Sequence, residues 1–160
     1  MAASAWQNAV VARPSIFETA GGEPAFLALA AAHHERCLRD PVLSHPFDHG
    51  VRPDHVARLA HYWAEVFGGP DRYSRECGDR SSMLELHARQ GGEAEFSERF
   101  VACFVAAVDD AGLPRDAELR AAMRAYMEWA VDEVMNYAPR DAEVPAGLPV
   151  PRWSWDGLVT

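Results

Sequence analysis

Seven histidines are the side chains best suited to chemistry here, and no lysine accompanies them, because all fifteen basic residues are arginine. The lack of lysine excludes Schiff-base chemistry and a lysine general base. Cys37, Cys77 and Cys103 are odd in number, widely spaced and without a CxxC pair. They fit reduced thiols, not a disulfide frame or a zinc site. His87 follows Met83 and Leu84 by four and three residues and precedes Gly91-Gly92. Two readings are open for it: a core imidazole whose ring N–H bonds a carbonyl, or a single axial ligand on an apolar platform, which suits haem iron. His55 stands one turn before Leu59, as a polar group guarding an apolar pocket would. His33 and His34 are adjacent on a helical stretch, so they point about 100° apart and do not converge readily on one ion. Buried there, they need partners, because an unpaired buried polar group costs on the order of 1–3 kcal/mol. His45, His49 and His61 read as turn or surface residues. HExxH, GxGxxG, P-loop and GxSxG patterns are all missing, and the Glu/His pairings do not repeat as a di-iron bundle requires.

The elements that must position these residues are helices. Twenty-eight alanines stand against one isoleucine and two threonines, which favours helix over strand and an all-α chain. Residues 1–14 read as a flexible leader. Ser15 with Glu18 forms a capping-box pattern for a short helix that Gly21-Gly22 stops. The next helix opens at Pro24 and runs to about Arg39, with two apolar stripes: Phe26, Leu29, Ala30, His33, Cys37 on one, and Leu27, Ala31, His34, Leu38 on the other. Such a helix is expected to be packed between other elements. A helix from Pro53 or Asp54 to Phe67 follows, then a polar loop over 71–80 and a brief helix capped by Ser81 or Ser82 that carries His87. Strong helices are expected over about 93–111 and 116–137. Residues 138–160 hold four prolines plus Trp153 and Trp155, and read as an extended tail, ordered only if the indoles find a groove.

At 160 residues the chain suits one globular domain. Its net charge of −9 argues against nucleic acid or an anionic membrane as main partner. No apolar run reaches the roughly 18–20 residues of a membrane span. The opening MAASAWQNAVVARPS lacks the n-region and h-region of a signal peptide. A cytoplasmic location is expected.

The order and spacing of several pieces resemble a group II truncated haemoglobin over residues 15–137. They are Gly21-Gly22, HHERCLRDPVLSHPF (33–47), GGPDRYS (68–74), MLELHA around His87, FVACF (100–104), and AGLP before a helix ending VMNY. The resemblance implies an all-α, truncated (2-on-2) globin-like helical sandwich around one haem b (iron protoporphyrin IX). His87 matches the proximal iron ligand. Phe47 matches the aromatic residue on the haem face, and His55 and Leu59 match two distal positions. His34 falls where the family usually has tyrosine, His33 where it commonly has phenylalanine, and Phe100 where it has tryptophan. Arg72 and Tyr73 lie in the segment that approaches the propionates. Trp63 and Leu84 join the residues expected to line the pocket, with Phe26, Leu27, Phe104, Met127 and Val131. The family tends to carry arginines just before the proximal histidine, whereas this chain has Ser81-Ser82-Met83-Leu84-Glu85-Leu86, so Arg80, Arg89 or Arg72 is expected to anchor propionates instead.

The implied function is binding of O2, NO or CO at haem iron beside an atypical His-rich distal side titrating near neutral pH. His34 and His55 are the acid/base candidates for peroxidase or NO-dioxygenase chemistry, which would need a reductase that this chain does not encode. The family also admits a homodimer. The competing reading is a globin-like domain without haem, acting as a sensor or protein-interaction module.

Overall fold

The computed structural model describes residues 11–160. Ser15 starts the first helix: its hydroxyl accepts the Glu18 N–H at 3.1 Å while the Glu18 carboxylate accepts the Ser15 N–H at 2.8 Å. This reciprocal pair satisfies two donors that a helix start leaves without partners. Helix α1 (Ile16–Ala20) ends on Gly21 at φ 118°, a left-handed conformation that glycine adopts without a Cβ clash. Helix α2 (Glu23–Arg39) holds Pro24 in its first turn, where a missing N–H breaks no helical bond. Beyond its end, the Asp40 carboxylate accepts the Val42 and Leu43 N–H groups at 2.8 and 3.1 Å.

A 3-10 turn (His45–Phe47) leads to α3 (His55–Val66), and α4 (Arg72–Glu76) and α5 (Arg80–His87) follow. The long helices α6 (Ala94–Asp110) and α7 (Ala117–Met135) match the expected ranges closely. Helix α2 packs on α3 and crosses α6, which packs on α7, so two helix pairs enclose the core. Aromatic rings fill the centre: Phe67 lies 5.7 Å from Phe26 and 4.9 Å from Tyr126, and Trp63 lies 5.0 Å from Phe104. Burying each such phenylalanine stabilises the fold by roughly 1.5–3 kcal/mol.

Three expectations are corrected. The second apolar stripe of α2 is covered only at His34, which is half-buried: Leu27, Ala31 and Leu38 are exposed, and the Phe26–Cys37 face is the buried one. Residues 71–80 are not a loop but hold α4 and the start of α5. The cause lies in α3, where the carboxylate of Glu65, only 2% exposed, accepts both the N–H of Ser74 at 2.9 Å and its hydroxyl. Helix α5 is capped by Asp79, not by a serine: its carboxylate accepts the Ser82 N–H at 2.8 Å.

The tail folds back on its own chain. A two-stranded antiparallel hairpin, β1 (Trp153–Ser154) and β2 (Gly157–Leu158), places Trp153 5.7 Å from both Tyr126 and Trp129. The Trp155 indole N–H donates to the Pro14 carbonyl at 2.9 Å, under the Arg13 guanidinium. Residues 1–10 of the expected leader lie outside the described residues.

Candidate functional site

Helices α3 to α7 line a cleft of about 170 Å³ that opens to solvent. Helix α3 contributes His55, Arg58, Leu59, Tyr62 and Trp63, and α4 contributes Tyr73. Met83, Leu86 and His87 come from α5, and Phe96, Ser97 and Phe100 from α6. Helix α7 closes the cleft with Tyr126, Met127, Ala130, Val131, Val134 and Met135. The walls are mostly apolar.

His87 sits on the last turn of α5, and its ring Nδ1–H donates to the Met83 carbonyl one turn back at 2.8 Å. A carbonyl only accepts, so this bond fixes the tautomer and leaves the Nε2 lone pair as the free ligating atom. His87 is thus not a core imidazole: its N–H bonds a carbonyl as that reading expected, but the residue is exposed on the cleft wall.

His55, at the first position of α3, is grouped with His34 and Phe47. Its ring lies 4.8 Å from that of His34 and 5.7 Å from that of Phe47, while His34 meets Phe47 edge-on at 5.0 Å. His34 Nδ1 is buried without a hydrogen-bond partner. Burial lowers the pKa of His34 and of His55, and for His55 the neighbouring His34 and His87 add to the effect. His33 is pushed down to about 4 by burial and by His34. For His33 this corrects the expectation of titration near neutrality, while His34 and His55 are shifted in the same direction by burial. His33 also turns away from the cleft, edge-on to Phe100 at 4.7 Å and to Trp63 at 5.3 Å. Its Nε2 lies 3.4 Å from the Cys37 sulfur, whose thiol burial pushes up to about 12.

The structure gathers His55, Leu59, Trp63, Tyr73, His87 and Phe100 into one cleft lining, with His34 and Phe47 behind His55. It does not bring the other expected residues there. Arg72 is turned to Glu23 and Glu76 at 2.6 and 3.3 Å. Arg80 pairs with Glu133 and lies 5.1 Å over the Trp129 ring. Both guanidiniums found carboxylates outside the cleft, so neither is a cleft cation. Leu84 is buried but does not line the cleft, Phe26 and Phe104 belong to the core, and Leu27 is exposed. Arg58 was missed: it lines the cleft, donates to the Cys77 carbonyl at 3.2 Å and lies 5.9 Å over Tyr73. Its position three residues after His55, on the same helix face, was the available signal.

One imidazole with a free Nε2 on an apolar wall fits a metal that brings its own equatorial ligands, as haem iron does. Among the described residues no three His, Cys, Asp or Glu side chains gather to hold a bare ion. Crossed helix pairs around such a cleft define an all-α globin fold of the truncated kind. The chain belongs to the bacterial-like globin family, whose model matches residues 15–136. Among solved structures it is similar to a thermostable haemoglobin from Thermobifida fusca, 30% identical, with a TM-score of 0.65, covering 77% of this chain and 98% of that one. A haemoglobin from Chloroflexus aurantiacus is 27% identical, with a TM-score of 0.67 and coverage of 78% and 99%. The group II truncated haemoglobin of Bacillus anthracis shares the fold at 20% identity, with a TM-score of 0.68 and coverage of 78% and 92%. No curated protein matches the chain. Family membership makes this a haem-binding globin, of a family that binds diatomic gases such as O2.

Proposed function

We propose that this globin holds haem b in the cleft with His87 as proximal ligand, and binds O2, NO and CO on the side of His55 and His34. The observation that carries this reading is the His87 Nδ1–H bond to Met83, which leaves Nε2 free on a cleft-lining residue. When bound, the haem supplies an iron with one coordination position for a diatomic ligand. The chain supplies the rest. Leu59, Trp63, Phe100 and Met127 exclude water and hold a flat apolar ligand. Burial favours the neutral form of His55 and His34, in which each presents one N–H donor and one acceptor nitrogen. Arg58 and Tyr73 are the polar groups for the propionates, in place of Arg72 and Arg80.

A neutral imidazole that accepts or returns a proton also suits peroxidase or NO-dioxygenase use, in which a separate reductase supplies electrons. A cytoplasmic location belongs to the same reading; among the described residues no helix is long and apolar enough to cross a membrane. The test is the absorption spectrum of the haem-reconstituted chain, reduced, with and without CO. A sharp Soret band that shifts with CO and disappears in His87→Ala is expected. A chain that retains no stoichiometric haem would instead be the haem-free interaction module.

A further inference from the structure

Helix α5 has two turns, too few to be stable alone. Something outside it must hold His87 in place. The family match ends at residue 136, and the chain beyond it runs back along α5 and bonds both of its ends. At the N-terminal end the Arg80 N–H donates to the Leu148 carbonyl at 3.0 Å. The hydroxyl of buried Ser81 donates to the Pro145 carbonyl at 2.5 Å and accepts the Leu148 N–H at 2.9 Å. Past the other end, the Arg89 N–H donates to the Tyr137 carbonyl at 2.8 Å and its guanidinium to the Ala142 carbonyl at 3.0 Å. The Gly91 N–H reaches the Ala138 carbonyl at 3.2 Å. Arg89 sits at φ 62°, the one described non-glycine residue with positive φ, a strained conformation that persists where surrounding bonds over-determine it.

We propose that residues 137–148 form a splint across α5 that positions the proximal histidine, with Ser81 and Arg89 as its positioning residues. Its far end is locked to the body of the fold. Val150 is buried, the Arg152 guanidinium donates to the Glu65 carbonyl, and Trp153 packs on Tyr126 and Trp129. The splint thus ties α5 to α3 and α7, two of the helices that line the cleft. It rests on His87 being the iron ligand, and its role is to keep the imidazole from swinging away with a fraying helix.

The test compares haem-loaded wild type with Ser81→Ala, Ser81→Thr and Trp155→Phe, reading two quantities. One is the iron–histidine stretching band in resonance Raman spectra after CO photolysis; the other is the rate of haem transfer to excess haem-free myoglobin. Ser81→Ala replaces serine by a better helix former, so a loss cannot come from helix propensity. It removes two hydrogen bonds and is expected to broaden or shift the band and speed haem transfer about tenfold. Ser81→Thr keeps the hydroxyl and restores both. Trp155→Phe, on the hairpin away from α5, leaves both unchanged while lowering thermal stability. Ser81→Ala indistinguishable from wild type in both readouts would overturn the splint and leave the haem reading intact. So would equal acceleration by Trp155→Phe, which marks a general loss of stability. A wild-type chain with no iron–histidine band and no haem retention would sink the haem reading, and the splint with it.

Discussion

At the scale of single residues, His33 is a buried titratable group in an aromatic surround. It is 2% exposed, its Nδ1 has no partner, and three aromatic rings crowd it. Its folded-state pKa of about 4 lies below the ordinary value of 6.5. Between those values the unfolded chain binds the proton and the folded chain does not. Stability is therefore full above pH 6.5 and falls as the pH drops toward 4. His33 alone contributes about 3 kcal/mol to that loss between pH 7 and pH 4. Replacing it by phenylalanine removes the proton linkage and the unpaired nitrogen. Urea unfolding of His33→Phe should show about 1 kcal/mol more stability at pH 7 and a shallower fall with acid. Parallel stability curves for the two proteins would contradict this account.

At the scale of elements, α4 and α5 show how little local signal a functional helix needs. The five residues of α4, RYSRE, have no apolar period, and α5 has a single fully buried apolar residue, Leu84. Both exist because distant groups complete them: Glu65 receives Ser74, and the chain after α7 receives Arg80 and Ser81. Leu84→Ala should therefore cost about 3 kcal/mol. It should also loosen haem retention out of proportion to that loss, a combination that unfolding and haem-transfer assays on the same variant would reveal. The turn after α3 is equally constrained. A Cβ on Gly69 would lie 2.7 Å from the Ala64 carbonyl oxygen and 2.7 Å from a Phe17 ring carbon. Gly69→Ala must displace backbone or the Phe17 ring, and we expect a clear drop in Tm by calorimetry, since neither neighbour is the free end of a flexible chain.

At the scale of the whole molecule, the residues beyond the family match are a working part of the fold. Trp153 seats the hairpin on α7, and Trp155 reaches the carbonyl of Pro14 at the opposite end of the described chain. With both indoles engaged internally, the tail is not free to dock on a partner as the interaction-module reading would have it. Trp153→Ala should cost roughly 2–3 kcal/mol and lower Tm by about 5–10 °C. If Tm stays unchanged, the tail is not part of the cooperative unit.

The sequence by itself determined the helical class, the capping box at Ser15, the two long helices after residue 92 and the single histidine before a double glycine. These rest on neighbours a few residues apart, where propensity, caps and the 3.6-residue period act. It also carried enough ordered motif to suggest the globin resemblance. Tertiary structure decided the rest, because the deciding partners are far apart in sequence. Which face of α2 is covered depended on where α3 and α6 came to lie, and Leu27 and Leu38 were left outside. Which arginine faces the cleft depended on competing carboxylates: Glu23 and Glu133 hold Arg72 and Arg80, and Arg58 remains. The downward shift of the distal imidazoles came from burial that no local pattern reports. The path of residues 137–148 along α5 was decided the same way, by carbonyls and amides that meet only once α5 and α7 are folded side by side.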